Sequence, residues 1–232
     1  MTPVFKKGSK KEACDYRPVS LTSLPRKILE HIISHHIMGH LDAHHVLVNY
    51  QHGFRRGRSC ESQLITIVEL IARNLDHGKQ TDVLLLDFSK AFDTVPHKRL
   101  LKKLDHYEIR GQLIKRIESW LCGRTQKVVV NGSLSSPVTV TSGVPQGTVL
   151  GPLMFLGYIN DIGLQITSEL GLFADDSLLY GFVNNISSAE MLQSDLNKLL
   201  VWSEKWQMAF NASKCFLLRV TRSIMWLTTP IP

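Results

Sequence analysis

From Ser23 the segment SLPRKILEHIISHHIMGHLDAHH places Ile28, Leu29, Ile32, Ile33, Ile37 and Leu41 at helical spacing behind a Ser23/Pro25 start. That period predicts a helix of about five turns. The same spacing in Leu64, Ile67, Val68, Ile71 and Leu75 predicts a second helix after the Gly- and Arg-rich stretch QHGFRRGRSC. The pattern then changes. Val83 to Leu86 form an unbroken apolar run that stops at Asp87, as expected of a buried central strand. Two more helical stretches follow, one carrying Leu100, Leu101 and Leu104, the other Leu113, Ile114, Ile117 and Trp120. QKVVVNGSLSSPVTVTS alternates around a Gly/Ser/Pro turn and predicts a hairpin. In SGVPQGTVLGPLMFLGYINDI the glycines and proline around Gln146 allow close backbone approach, and the apolar run predicts a buried helix ending near Asp161. LGLFADDSLLY reads as strand on both sides of two aspartates. Ser187 with Glu190 three residues on predicts a capped final helix carrying Leu192, Leu196, Leu199 and Trp206. FNASKCFLLRV predicts a turn and a strand beginning near Lys214, and beyond Val220 both periods fade into an irregular tail.

Composition narrows the class. A chain of 232 residues with 44% hydrophobic content can bury a substantial core, and no repeat or linker divides it. Lys and Arg number 27 against 20 Asp and Glu, an excess of 7 that favours a polyanionic partner such as nucleic acid. Cys14, Cys60, Cys122 and Cys215 form no CxxC pair, so neither a zinc knuckle nor a disulfide framework is expected. No apolar run reaches the ~18 residues that cross a bilayer, and the start lacks the apolar core of a signal peptide. The expectation is an intracellular protein, cytoplasmic and nuclear, with no membrane partner.

Candidate chemistry centres on carboxylates. Asp175 and Asp176 set two like charges side by side in an apolar segment, which is costly unless a cation compensates them. A divalent metal would do so; taken alone, the dipeptide is more simply a solvated hairpin tip. Asp87 stands at the C-terminal end of the apolar strand, where open sheets place ligands. Asp93, beside Pro96, reads as a turn or helix cap. Arg55, Arg56 and Arg58, flanked by glycine ahead of a helix, suit phosphate recognition or a solvated loop. His31/His35 and His36/His40 have the i,i+4 spacing of metal ligands, but no carboxylate or cysteine joins them and a solvated helix face is the simpler account.

Taken in order, DYRPVSLTSLPRKILEHII, QHGFRRGRSC, LLLDFSKAFDTVPH, SGVPQGTVLGPLMFLGYINDI, LFADDSLLY and NASKC resemble the successive blocks of the reverse transcriptase domain of non-LTR retrotransposons, the LINE-type elements of the jockey or CR1 kind. The resemblance covers nearly all of residues 3 to 220. It implies an α+β polymerase right hand: fingers over about residues 1–80 and 97–140, and a palm with a helix-flanked antiparallel sheet over about 81–96 and 141–222. It implies an RNA-directed DNA polymerase in which Asp87, Asp175 and Asp176 are catalytic and, with Phe88, form the site of two Mg²⁺ ions, Mn²⁺ being an alternative. The nucleotide-binding positions it implies are Arg55 and Arg58 at the triphosphate and Phe92 under the sugar. Gln146 and Gly147 would line the pocket, and Lys214 would lie at the departing pyrophosphate. Partners would be an RNA template, a DNA primer and dNTPs. Endonuclease and thumb segments of a parent polyprotein are missing from the resemblance, which departs from the family pattern after Arg222, so a remnant that only binds nucleic acid is the alternative.

Overall fold

The computed structural model describes residues 1–222, and the expected tail at 223–232 lies outside them. The chain opens with β1 (Thr2–Phe5) antiparallel to β2 (Tyr16–Val19), a pair too short and too exposed to show in the apolar period. The two expected amphipathic helices follow as α1 (Leu24–Ala43) and α2 (Cys60–Asp76). Next come β3 (Gln80–Leu86), a single turn α3 (Ala91–Thr94), α4 (His97–His106) and α5 (Gly111–Leu121). The expected hairpin is two nested ladders: β4 (Thr125–Gln126) pairs with β7 (Val138–Thr139), and inside them β5 (Val129–Val130) pairs with β6 (Ser133–Leu134). The chain continues through α6 (Leu150–Ile159), β8 (Glu169–Phe173), β9 (Asp176–Val183), α7 (Ile186–Trp206) and β10 (Phe216–Val220). The cap of α7 is not Ser187. Asn185 accepts from Ser188 N at 2.9 Å and Ser188 Oγ returns the bond to Asn185 N, so the box sits two residues earlier.

Two compact units result: Met1–Leu47 with Lys90–Tyr158, and Val48–Ser89 with residues 159–222. Within the second unit α2 packs on the sheet, with Ile67 among Val83 and Tyr180.

In the first unit α6 is apolar all round, and Leu153, Met154, Phe155, Leu156 and Tyr158 are each at most 3% exposed. Such a helix has no wet face on which to satisfy its ends, and buried charges do so instead. At its N-terminus the Glu30 carboxylate, 2% exposed, accepts from Val149 N at 2.8 Å and Leu150 N at 3.4 Å. At its C-terminus the buried Lys103 ammonium donates to the Tyr158 carbonyl. Each charge has the sign that its end of the helix dipole favours.

In the second unit the sheet order is β10-β3-β9-β8, all antiparallel. The apolar run of β3 reflects cover on both faces. Ile67, Leu70 and Ile71 of α2 pack with Val83, Tyr180 and Leu178 on one face. Leu192 of α7 lies 3.9 Å from where a side chain on Gly181 would sit, on the other. Asp82, fully buried inside β3, is matched by its cross-strand partner Arg219, whose Nε lies 3.3 Å from Oδ2. No helix among the described residues is long and apolar enough to cross a membrane.

Candidate active site

Asp87 follows the last residue of β3, and Asp176 opens β9. Leu86 pairs with Ser177, so one step further Asp87 comes opposite Asp176. Alternation along each strand then puts both carboxylates on the face that carries Leu85 and Leu178. Phe173 pairs with Asp176 across the β8–β9 hairpin, which leaves Ala174 and Asp175 as a two-residue turn. The expectation of like charges sunk in an apolar segment is thereby corrected. Asp175 is half-buried and Asp176 exposed, because the apolar neighbours belong to the strands while the carboxylates stand where the strands end.

Ala174 takes φ +55°, a left-handed conformation that costs a residue with a Cβ about 1–2 kcal/mol. Gln51 holds it there. Its side chain is 2% exposed, and its Oε1 accepts from Ala174 N at 3.0 Å and from Gly53 N at 2.8 Å. Both partners are donors, so the carbonyl end of the amide must face them, and Nε2 is left buried without a hydrogen-bond partner. The surrounding backbone runs beside β8: Leu172 N donates to Tyr50 O and His52 N to Leu172 O, each at 2.8 Å. Gly53 packs so closely that a Cβ would lie 2.3 Å from Ala174 N. Sequence reasoning took the QHGFRRGRSC block for its arginines and missed Gln51 and Gly53. A lone glutamine two residues before a glycine carries no periodic signal that could have placed them.

Lys214 arrives by a different route. Residues 209–214 fold back along Asp87 and its successors: Asn211 N donates to Asp87 O at 2.7 Å, Ser89 N donates to Ala209 O at 2.8 Å, and the Phe88 and Phe210 rings stack with centroids 4.4 Å apart. A short 3-10 turn, Ala212–Lys214, then brings Lys214 Nζ to 2.8 Å from Asp87 Oδ2. Lys214 thus ends a turn instead of beginning a strand. Phe88 is 3% exposed and its ring offers a cation no donor atom, so only its main-chain carbonyl could serve a metal.

The arginines are engaged locally. Arg55 Nη1 donates to Val48 O at 3.1 Å, and Arg58 donates to Asn49 O, to Asn49 Oδ1 at 3.1 Å and to Gln51 O at 3.4 Å. They brace the 48–51 segment that in turn braces Ala174. His52 feels them: burial first, then Arg58 and Arg55, hold its pKa below the usual imidazole value, with a hydrogen bond to the Ser59 backbone opposing.

Phe92, Gln146 and Gly147 belong to the other unit. The Phe92 ring, half-buried, stacks on Phe155 with centroids 4.4 Å apart and planes at 19°. Ser20 N donates to Gln146 O at 2.9 Å. Gly147 adopts φ +84°, and a Cβ there would lie 2.9 Å from Ser20 O, which accounts for glycine at this position. Gln146 Nε2 donates to Asp93 Oδ1 at 3.1 Å.

The carboxylates fit a divalent cation of one kind. Among the described residues no group of three or more His, Cys, Asp or Glu converges into a protein-only cage. Mg²⁺ does not require one, since it binds through one or two carboxylates and completes its shell with water and substrate phosphate. The opposed pair Asp87 and Asp176 could supply carboxylates of that kind.

Residues 6–231 match the family described as reverse transcriptase (RNA-dependent DNA polymerase). The chain is 32% identical over 219 residues to the "Probable RNA-directed DNA polymerase from transposon X-element" of Drosophila melanogaster, covering 90% of this chain and 24% of that protein. It is 30% identical over 219 residues to the RNA-directed DNA polymerase from mobile element jockey of Drosophila funebris, with the same coverage of 90% and 24%. The chain therefore spans about a quarter of the length of these relatives. In fold it is similar to apo telomerase from Candida tropicalis, with a TM-score of 0.57 at 11% identity over 87% of this chain and 41% of that one. An antiparallel sheet ending in opposed aspartates and a family match over nearly the whole sequence lead to one conclusion: the chain belongs to the reverse transcriptase (RNA-dependent DNA polymerase) family.

Proposed function

We propose that this chain carries the nucleotidyl-transfer centre of a non-LTR retrotransposon's RNA-directed DNA polymerase, its four-stranded sheet forming the palm and the elements around α1 the fingers. The observation that carries this reading is the opposition of Asp87 and Asp176 across β3 and β9, with Asp175 in the braced turn beside them. Asp87, Asp175 and Asp176 would hold Mg²⁺, which would supply the positive charge needed to activate a primer 3′-hydroxyl and to stabilise a departing pyrophosphate. The residues present do the rest. Lys214 pairs with Asp87 across 2.8 Å, and once displaced from it would serve as the proton donor to the departing pyrophosphate. The Phe92 ring, fixed by Phe155, would meet a ribose 2′-hydroxyl and so selects deoxynucleotides. Gln146 and Gly147 line the same pocket. Arg55 and Arg58 add positive charge near the triphosphate, although their first task is bracing the 48–51 segment. An RNA template and a DNA primer are the polyanions that the net charge of +7 suits.

The test is single-nucleotide addition to a DNA primer on an RNA template, in Mg²⁺, by a parent-length protein carrying this chain. Changing Asp87, Asp175 or Asp176 singly to Asn should lower the rate by about two orders of magnitude or more with the fold intact. An Asp176→Asn protein that adds nucleotides at the original rate would remove the basis of the assignment. Phe92→Ala should admit ribonucleotides.

A further inference from the structure

Phe92 and Gln146 lie in segments far apart in sequence, yet the structure binds those segments together along their length. Val144 N donates to Phe92 O at 2.7 Å, and Gly143 N donates to Val95 O at 2.8 Å. Ser142 Oγ donates to Asp93 O at 2.9 Å. Gly143 lies flat on the backbone of Asp93, where a Cβ would fall 2.6 Å from the carbonyl oxygen and 2.8 Å from Cα, so nothing but glycine permits this contact. The side chain of Asp93 then makes the last link, accepting from Gln146 Nε2 at 3.1 Å. A backbone zipper fixes where the two segments run. It does not fix the Gln146 amide, which has three rotatable bonds and stays half-exposed. That task falls to Asp93. The carboxylate is itself half-buried, and burial pushes its pKa up against the opposing pull of Gln146 and Lys90, so it is held in this position at some cost.

We infer that Asp93 is a positioning residue of the nucleotide pocket, fixing the Gln146 amide relative to the turn that carries the Phe92 ring so that the two move as one body. This rests on the assignment of Phe92 and Gln146 to the incoming nucleotide made above. By taking Nε2, Asp93 also decides which end of the amide remains available: Oε1, an acceptor.

A measurement that needs no catalysis tests it. The full 232-residue chain is bound in Mg²⁺ to an RNA template with a dideoxy-terminated DNA primer. Stabilisation of that complex by the next complementary dNTP, and separately by the matching ribonucleotide, gives two dissociation constants. Asp93→Leu, similar in size but without an acceptor, should weaken dNTP binding about tenfold, the worth of one hydrogen bond, and should narrow the preference over the ribonucleotide. Asp93→Asn keeps an acceptor oxygen and should stay within about twofold of the original. Gln146→Ala should equal Asp93→Leu, and the double variant should be no worse than either, since both remove the same link. If Asp93→Leu does not fold, Asp93→Ser, too short to reach Gln146, carries the same expectation. A lowered melting temperature with both dissociation constants unchanged would reduce Asp93 to a structural staple and overturn the inference. Weakening by Gln146→Ala and Phe92→Ala but not by Asp93→Leu would overturn it while sparing the pocket. If Gln146→Ala and Phe92→Ala are also silent, the pocket reading and the inference fall together.

Discussion

Among the described residues two hairpins are closed by two-residue turns, and they are held by opposite means. Between β5 and β6 the turn is Asn131–Gly132, with φ +49° and +80°, both residues being suited to the left-handed region. Its strands are exposed, and the turn chemistry alone explains the reversal. Between β8 and β9 the turn is Ala174–Asp175, in which an alanine takes φ +55° with no propensity for it. This hairpin is buried, and Gln51, Gly53 and the Tyr50–Leu172 backbone bonds impose its geometry. Where the turn only reverses the chain, local preference is enough. Where it carries Asp175 and leads into Asp176, a distant segment offsets the strain and sets the shape.

That contrast can be broken experimentally, beginning where the effect is greatest. Gly53→Ala drives a methyl to 2.3 Å from the Ala174 nitrogen, and backbone against backbone has little room to give. We expect a loss of about 3 kcal/mol in urea unfolding, accompanied by weaker Mn²⁺ binding as followed by electron paramagnetic resonance. Gln51→Leu fills the same space but leaves the Gly53 and Ala174 amides without an acceptor, at about 2–3 kcal/mol. A variant as stable as the original would show that the turn holds itself, like Asn131–Gly132.

Acid should loosen the β8–β9 hairpin from its other end. Asp195 on α7 is fully buried and accepts from Thr167 N, Thr167 Oγ1 and Ser168 N just ahead of β8, while Lys198 Nζ lies 2.7 Å from its second oxygen. Burial alone would raise its pKa; the bonds from Lys198, Ser168 and Thr167 outweigh it and lower the value from 3.8 to about 2. A depressed carboxylate pKa stabilises the fold above the unfolded value and loses that contribution as pH falls toward the folded one. About 2 kcal/mol should therefore disappear between pH 4 and 2, and Asp195→Asn should flatten that part of the stability curve. The smallest effect should come from the exposed turn: Gly132→Ala, with φ +80°, should cost about 1 kcal/mol and leave Mn²⁺ binding unchanged.

Much of the architecture was legible beforehand because it follows from period. The helices α1, α2, α4, α5 and α7 and the central strand β3 appear where the apolar spacing places them. The motif blocks also marked Asp87, Asp175, Asp176 and Lys214, and the structure brings Asp87 to Asp176 and to Lys214. The start of α7 was misplaced by two residues, since Asn185 and Ser188 form a capping box without the acidic residue that the usual pattern contains. Neither the weak β1–β2 pair nor the role of Gln51 left a periodic trace.

By itself the sequence determined the main helices and the central strand, their apolar faces, and which family the carboxylate blocks belong to, because these depend on spacing along one chain. Only the tertiary structure decided how that chemistry is held. Gln51 reaches Ala174 across 123 residues, Lys214 reaches Asp87 across 127, and Glu30 and Lys103 close the two ends of α6. Each is a polar group whose partner is a particular backbone atom or charge brought near by folding. A hydrogen bond is satisfied by position and direction in space, and the hydrophobic pattern, which records only inside and outside, contains neither.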